Sequence, residues 1–334
     1  MILDYIPEAV IAVNSDLKIK WANKNAKSLF IISGNSSLLE ATRLVDLENA
    51  VKKVIVNNTP AEFNIRMFRN RKQYFLNASV LLTEPDEIII ILNDLTKMHR
   101  LEQVRKDFAA NVSHELRTPI QLIKGFSETI LEHDLDEDQF NHGIQIIHKN
   151  AVIMENLTND LLTLVSLEDD ENPALEMIET NINELIQEAV QSVAPQADKK
   201  QIRIKTVCAP ELTAKVHGSF ITQAMINLLD NAVKYSKIES KIRIKATIEK
   251  TVLPDQNDIL VLQVYDDGIG IPVEHQERIF ERFFRVDKAR SREAGGTGLG
   301  LAIVRHIAIL HGGSVEVESH AGEGSCFTIK IPQK

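Results

Sequence analysis

The rhythm of apolar and polar positions changes twice along the chain, and each change predicts a different architecture. Up to about residue 95, short apolar runs alternate with turn residues. Val10–Val13 is followed by Asn14-Ser15-Asp16 and then by Leu17–Ala22, the pattern of a β-hairpin. Polar helical stretches follow at about Asn25–Phe30 and Leu38–Val56, and strand-like runs at Phe63–Phe68, Tyr74–Leu82 and Ile88–Leu92 close the region. Two strands, helices and three strands predict an α+β domain over residues 1–95.

From about Met98 to Glu168 the apolar period becomes helical. Leu101, Val104, Phe108, Val112, Leu116, Ile123, Phe126 and Ile130 line a first arm. Phe140, Ile144, Ile147, Ala151, Met154, Leu161 and Val165 line a second, widened by Ile146, Ile153, Leu157 and Leu164. Faces this wide cannot bury themselves against each other alone. Residues 96–170 are therefore expected to form a helical hairpin that dimerises into a four-helix bundle, the alternative being a monomeric hairpin packed on neighbouring domains. The turn is expected around His133–Asp138, and Asp169–Pro173 reads as a linker.

Residues 175–334 mix both periods. Helices are predicted at Asn183–Ala194, Phe220–Tyr235 and Leu299–Leu310, and strands at Arg203–Val207, Lys241–Lys250, Ile259–Tyr265, Ser314–Glu318 and Cys326–Ile331. This order predicts an α/β sandwich, so the 334-residue chain as a whole is expected to be multidomain.

Composition narrows the classes. With 44% hydrophobic and 25% charged residues the chain is globular rather than disordered, and a net charge of -9 without a basic run disfavours nucleic acid as a partner. Cys208 and Cys326 have neither metal nor redox spacing, which suits a reducing compartment. The longest aliphatic run, Ile88–Leu92, is far short of the roughly 20 residues of a membrane helix. The expectation is a soluble, cytoplasmic chain, or the cytoplasmic portion of a protein whose membrane anchor lies upstream.

Candidate chemistry concentrates in a few segments. On the first arm, His114 and Thr118 lie four residues apart on a polar stripe with Asn111 and Gln121, and Pro119 should bend the helix there. Neutral imidazole is a good nucleophile near pH 7, and the adjacent carboxylate of Glu115 can hold one ring nitrogen protonated while the other attacks phosphorus. Asn227, Asn231 and Lys234 share one polar helix face, with Ile226, Leu229 and Val233 on another. Asp266-Asp267-Gly268-Ile269-Gly270 ends a predicted strand, where a carboxylate can accept from an exocyclic amine and glycines admit a close ligand. Gly295-Gly296-Thr297-Gly298-Leu299-Gly300-Leu301 opens a helix, the setting in which backbone N–H groups receive phosphate.

In order and spacing these segments resemble the signature boxes of two-component sensor histidine kinases, over about Leu101–Pro332. Ser113-His114-Glu115-Leu116-Arg117-Thr118-Pro119 matches the H-box at all seven positions, and Asn227–Ser236 resembles the N-box of the ATPase superfamily that includes gyrase and MutL. Asp266–Gly270 resembles the G1 box, Phe280–Asp287 the F-box, Lys288–Ala294 the ATP lid and Gly295–Leu301 the G2 box. The likeness implies a Bergerat-type ATP-binding sandwich and a HisKA-type dimerisation hairpin, with similarity to the phosphate-regulon and cell-wall sensor kinases. It further implies ATP and Mg²⁺ as cofactors, His114 as phosphoacceptor through its distal nitrogen, and Asn231 as the Mg²⁺ ligand. Lys234 and Tyr235 would lie along the phosphates, Asp266 would read the adenine amine, Gly296–Gly300 with Leu299 would cradle phosphate, and Arg285 would meet the γ-phosphate unless it is only a rim ion pair. The implied partners are a second copy of the chain and the receiver domain of a response regulator, which the kinase phosphorylates on aspartate.

Glu115 and Thr118 also resemble the Glu-x-x-Thr phosphatase motif of bifunctional sensor kinases, Thr118 as a backbone cap being the plainer reading. Two rivals remain. A gyrase-like conformational ATPase would need a base where Asn227 stands, and a degenerate sensory scaffold would not need Asn231, Asp266, Gly296, Gly298 and Gly300 intact. Residues 1–95 resemble a PAS sensor domain, with Asp94-Leu95-Thr96 as its exit. The absence of His and Cys from residues 1–98 disfavours a His-ligated haem or a flavin-cysteinyl adduct.

Overall fold

A computed structural model describes residues 2–33, 36–84, 86–133, 135–168, 176–250, 257–287 and 296–333. The expected linker at 169–173, the lid at 288–294, Gly295 and, in the hairpin turn, Asp134 lie outside the described residues. The chain divides into two compact units, Met1–Ala110 and Asn111–Lys334.

The first unit is a five-stranded antiparallel sheet in the order β2-β1-β5-β4-β3, built from β1 (Ala9–Val13), β2 (Ile19–Ala22), β3 (Ala61–Arg69), β4 (Lys72–Glu84) and β5 (Glu87–Asp94). One face buries Ile11, Leu76, Ile88, Ile90 and Leu92 beneath α1 (Lys24–Leu29), α2 (Leu38–Thr42) and α3 (Val45–Asn57). The single helix expected over Leu38–Val56 is therefore two. Arg43 ends α2 in the left-handed conformation (φ 57°), and the Thr42 hydroxyl accepts from Leu44 N at 3.3 Å, which turns the chain before α3 starts. Buried Asn23 joins hairpin to helix, its Oδ1 accepting from Val10 N and Ala26 N. At the exit, Asp94 Oδ1 accepts from Thr96 N, and Thr96 Oγ1 accepts from Phe75 N at 2.9 Å, which ties the first turn of α4 (Thr96–Glu132) to β4.

In the second unit, α4 and α5 (Glu137–Glu168) form the hairpin, with α4 continuing through Pro119. Phe126 meets His142 edge-on, and a Cβ on Gly143 would come within 3.0 Å of Ile130 Cδ1, so this glycine lets the two helices approach. The sandwich sheet runs β11-β12-β10-β9-β7, from β7 (Arg203–Val207), β9 (Lys241–Glu249), β10 (Asp258–Asp266), β11 (Ser314–His320) and β12 (Gly324–Gln333). It is antiparallel except for the β7–β9 pair. α6 (Ile182–Lys199), α7 (Gly218–Tyr235) and α9 (Gly300–Leu310) supply its apolar cover, with a short helix α8 (Val273–Gln276) between β10 and α9. A two-stranded β6–β8 pair (Ile178–Asn181 with Thr213–Val216) was not expected from the sequence, being short and half polar. Leu157, Leu164 and Leu167 of α5 are buried in the same core as α7 and α9, so hairpin and sandwich pack as one body. Among the described residues no helix is long and apolar enough to cross a membrane.

Candidate functional site

A cavity of about 890 Å³ opens between α5, α7, the β10 exit and the start of α9. Amphipathic α7 buries Ile221, Met225, Leu228 and Leu229 and turns Asn227, Asn231, Lys234 and Tyr235 toward the cavity. Lys234 is paired with Asp230 one turn back at 2.6 Å. The end of this helix is held by Lys200, a residue outside every motif. Its Nζ donates to the carbonyls of Val233 and Lys234 at 2.8 Å and of Ser236 at 3.3 Å, a cation on the negative helix terminus.

Asp266 stands at the last position of β10 and lines the cavity. Its Oδ1 accepts from Gly268 N at 2.8 Å, and burial pushes its carboxyl up to about 6, against the pull of the Gly268 and Ser325 amides. Gly268 does not line the cavity. It shapes the turn, since a Cβ there would sit 2.5 Å from Asp266 Oδ1. Gly270 lines the wall with φ 67°, its Cα against the carbonyl of His320.

Gly296, Thr297, Gly298 and Gly300 form the opposite wall, whereas Leu299 is buried in the core and anchors the loop. Thr297 Oγ1 accepts from Leu299 N at 3.2 Å, which organises the entry to α9. Gly298, at φ 76°, accepts on its carbonyl from Phe283 N at 2.8 Å. The segment before the expected lid thus docks on the glycine loop at a spot where a Cβ would touch Phe283. Asn227 Nδ2 donates to the Gly300 carbonyl at 3.3 Å, linking α7 to the same loop.

The hairpin contributes in two ways. His114 is exposed and does not line the cavity, nor do Glu115 and Thr118. Glu115 nevertheless reaches the sandwich, its Oε2 accepting from Arg285 Nη2 at 3.0 Å. Arg285 lines the cavity but is only 8% exposed, and among the described residues its buried Nε has no hydrogen-bond partner. The second contribution comes from Asp160 of α5, which accepts from Thr297 Oγ1 at 2.6 Å. Neither Asp160 nor Lys200 could be singled out from sequence, because their partners lie 137 and more than 30 residues away. Thr118 Oγ1 donates to the His114 carbonyl at 3.4 Å, one turn back on the same helix and just before Pro119.

The family model of the histidine kinase-, DNA gyrase B- and HSP90-like ATPases matches residues 216–334, and that of the His kinase A phospho-acceptor domain matches residues 104–170. The phosphate regulon sensor protein PhoR of Pseudomonas aeruginosa is 33% identical over 337 residues, covering 96% of this chain and 71% of the relative. The chain belongs to the two-component sensor histidine kinases. Another relative of this sensor kinase, the sensor protein SrrB of Staphylococcus aureus, is 30% identical over 333 residues, spanning 99% of this chain but only 55% of its own. The crystal structure of the histidine kinase ThkA, in complex with the response regulator protein TrrA, superposes with a TM-score of 0.54 at 25% identity, covering 100% of this chain and 98% of that one.

Proposed function

We propose that this sensor kinase binds Mg-ATP in the sandwich cavity, phosphorylates its own His114, and passes the phosphoryl group to an aspartate of a response regulator receiver domain. One observation carries the reading. A cavity of about 890 Å³ collects the N-box, G1, F-box and G2 side chains, and the H-box reaches the same site through the Glu115–Arg285 ion pair.

The residues fit the nucleotide. Asp266 offers an acceptor to the adenine amine, the loop Gly296–Gly300 opens a helix whose free N–H groups suit phosphate, and Lys234 and Tyr235 flank the path. Asn231 offers an amide oxygen for Mg²⁺. Bound there, Mg²⁺ would neutralise charge on the phosphates. Arg285, whose buried Nε has no hydrogen-bond partner among the described residues, is the cation for the γ-phosphate.

In the transfer step the distal imidazole nitrogen of His114 attacks the γ-phosphorus, an N–P bond forms, and the bond to the ADP oxygen breaks. Glu115 holds the proton on the other ring nitrogen. Because His114 lies outside the cavity, the sandwich must shift along the hairpin, and Glu115 must exchange Arg285 for the imidazole. Asn227 cannot act as a base toward water and is occupied with the Gly300 carbonyl, which disfavours simple hydrolysis.

The hairpin is read as half of a dimeric four-helix bundle. Phe140, Ile144, Leu162 and Val165 of α5, with Ile120, Leu122 and Leu131 of α4, are exposed in the single chain, an apolar surface that a second copy would cover. The first unit is read as a PAS sensor domain, supported by its strand order and by the Asp94–Thr96 exit onto α4. Incubation with γ-labelled ATP tests the whole reading. Label should be acid-labile and base-stable, map to His114 by mass spectrometry, and vanish in His114→Ala. Persistent label in that variant would remove the acceptor assignment.

A further inference from the structure

Asp160 belongs to none of the signature segments, yet its carboxylate lines the nucleotide cavity together with Lys234 and Arg285. Two observations make its position a built feature. Leu157 and Leu164, three residues before and four after it on α5, are buried to 2% and 1% in the core shared with α7 and α9, so the helix face carrying Asp160 is clamped onto the sandwich. The Thr297 hydroxyl, at the centre of the glycine loop, donates to Asp160 Oδ2 at 2.6 Å while accepting from Leu299 N, so the aspartate grips the loop that begins α9.

An anion there is out of keeping with a loop that receives phosphate. The positive end of α9 and the ammonium of Lys234 favour negative charge at this wall, and Asp160 supplies it before any ligand arrives. Burial, more than any partner, pushes the Asp160 carboxyl above its ordinary range, with Asp230 adding to the rise and Thr297 and Lys234 opposing it.

We infer that Asp160 sets the nucleotide affinity of this kinase: the phosphoacceptor hairpin lends a carboxylate to the phosphate wall, and the docked hairpin and the ATP polyphosphate compete for Thr297. The inference rests on the nucleotide-binding reading above. Tight ATP binding then requires α5 to withdraw Asp160, which couples filling of the cavity to release of the sandwich from the hairpin. That release also frees Arg285 from Glu115.

The test is calorimetric titration of the full chain with the non-hydrolysable analogue AMP-PNP plus Mg²⁺, with ADP, and with adenosine. Asp160→Asn keeps the size and an acceptor oxygen for Thr297 but removes the charge. It should bind AMP-PNP about tenfold more tightly than the parent, ADP by a smaller factor, and adenosine equally. The gain should shrink in 1 M salt, where the screening length is about 3 Å. Asp160→Glu should behave as the parent. Asp160→Ser, which shortens the side chain, should move in the same direction as Asn and guards against a folding artefact in one variant. Unchanged or weaker AMP-PNP binding in both neutral variants would overturn the inference, as would an equal gain for adenosine, since that would report packing rather than charge. A parent chain that binds no nucleotide, or never labels His114, would instead sink the function proposed above, so the two failures are distinguishable.

Discussion

Arg285 and Glu115 form an ion pair at 3.0 Å between the F-box and the H-box, so the cation proposed for a γ-phosphate is held by the carboxylate beside the exposed His114. The arginine side chain is 8% exposed. Removing one member of so buried a pair leaves the other desolvated, a loss of about 3 kcal/mol. Glu115→Ala should lower the melting temperature measurably, and Arg285→Ala should cut the autophosphorylation rate by about a hundredfold or more, as expected for loss of a cation at a transferring phosphoryl group. Rapid-quench labelling of the two variants checks this. Full activity in Arg285→Ala would leave the arginine as a rim contact only.

The glycine loops make a backbone prediction. Gly298 has φ 76°, and a Cβ would sit 3.0 Å from Phe283 Cα. Gly270 has φ 67°, and a Cβ would sit 1.9 Å from the His320 carbonyl oxygen. Gly298→Ala should cost about 1–2 kcal/mol from the left-handed backbone and weaken nucleotide binding by displacing the Phe283 segment. Gly270→Ala adds a direct backbone clash and should be the more damaging. Chemical denaturation combined with nucleotide titration separates the two effects, and a Gly270→Ala protein as stable as the parent would contradict the geometry.

The residues that line the cavity were far more legible in the sequence than the long-range contacts beside them. Asn231, Lys234, Asp266 and the glycine loop could be named because each motif is local, its members within a few residues on one helix face or turn. The break at Arg43 was invisible because the apolar period of Leu38–Val56 runs on across it, and only the left-handed residue with the Thr42 hydroxyl interrupts the helix. Asp160, Lys200 and the Arg285–Glu115 pair were hidden for the opposite reason. Asp160 and the Arg285–Glu115 pair depend on packing of α5 and α4 against the sandwich, Lys200 on packing of the α6 end against the α7 end, and a solitary Asp or Lys carries no periodic signal.

Asp266 ties binding to pH. Its folded-state value near 6 is above the ordinary 3.8, because burial disfavours the charge. A raised carboxyl value means the folded protein holds the proton more tightly than the unfolded chain does. Stability is therefore greatest below about pH 4 as far as this group is concerned, and is lost as pH rises through 6, a cost of about 3 kcal/mol at neutral pH. The ionised form is the better acceptor for the adenine amine. Affinity for adenosine, which carries no titrating phosphate, should fall as pH drops through about 6, and Asp266→Asn should flatten that profile. A flat profile in the parent would exclude an adenine contact through this carboxylate.

Thr118 is the position at which two proposed activities of one helix would separate. Its hydroxyl donates to the His114 carbonyl at 3.4 Å, a long bond on a half-buried side chain, so it is available to another acceptor at little cost. If Glu115 and Thr118 act as a phosphatase pair, Thr118 orients water toward the acyl phosphate of the response regulator, while His114 needs no help from it to attack ATP. Thr118→Ala should then keep autophosphorylation within about twofold, a change of under 0.5 kcal/mol, and lose most dephosphorylation of the phosphorylated receiver domain. Thr118→Ser, which retains the hydroxyl, should restore much of it. Were Thr118 instead only a cap on the backbone at Pro119, Ala would depress both activities together and lower the melting temperature of the chain, and paired rate measurements on the same preparation would reveal it.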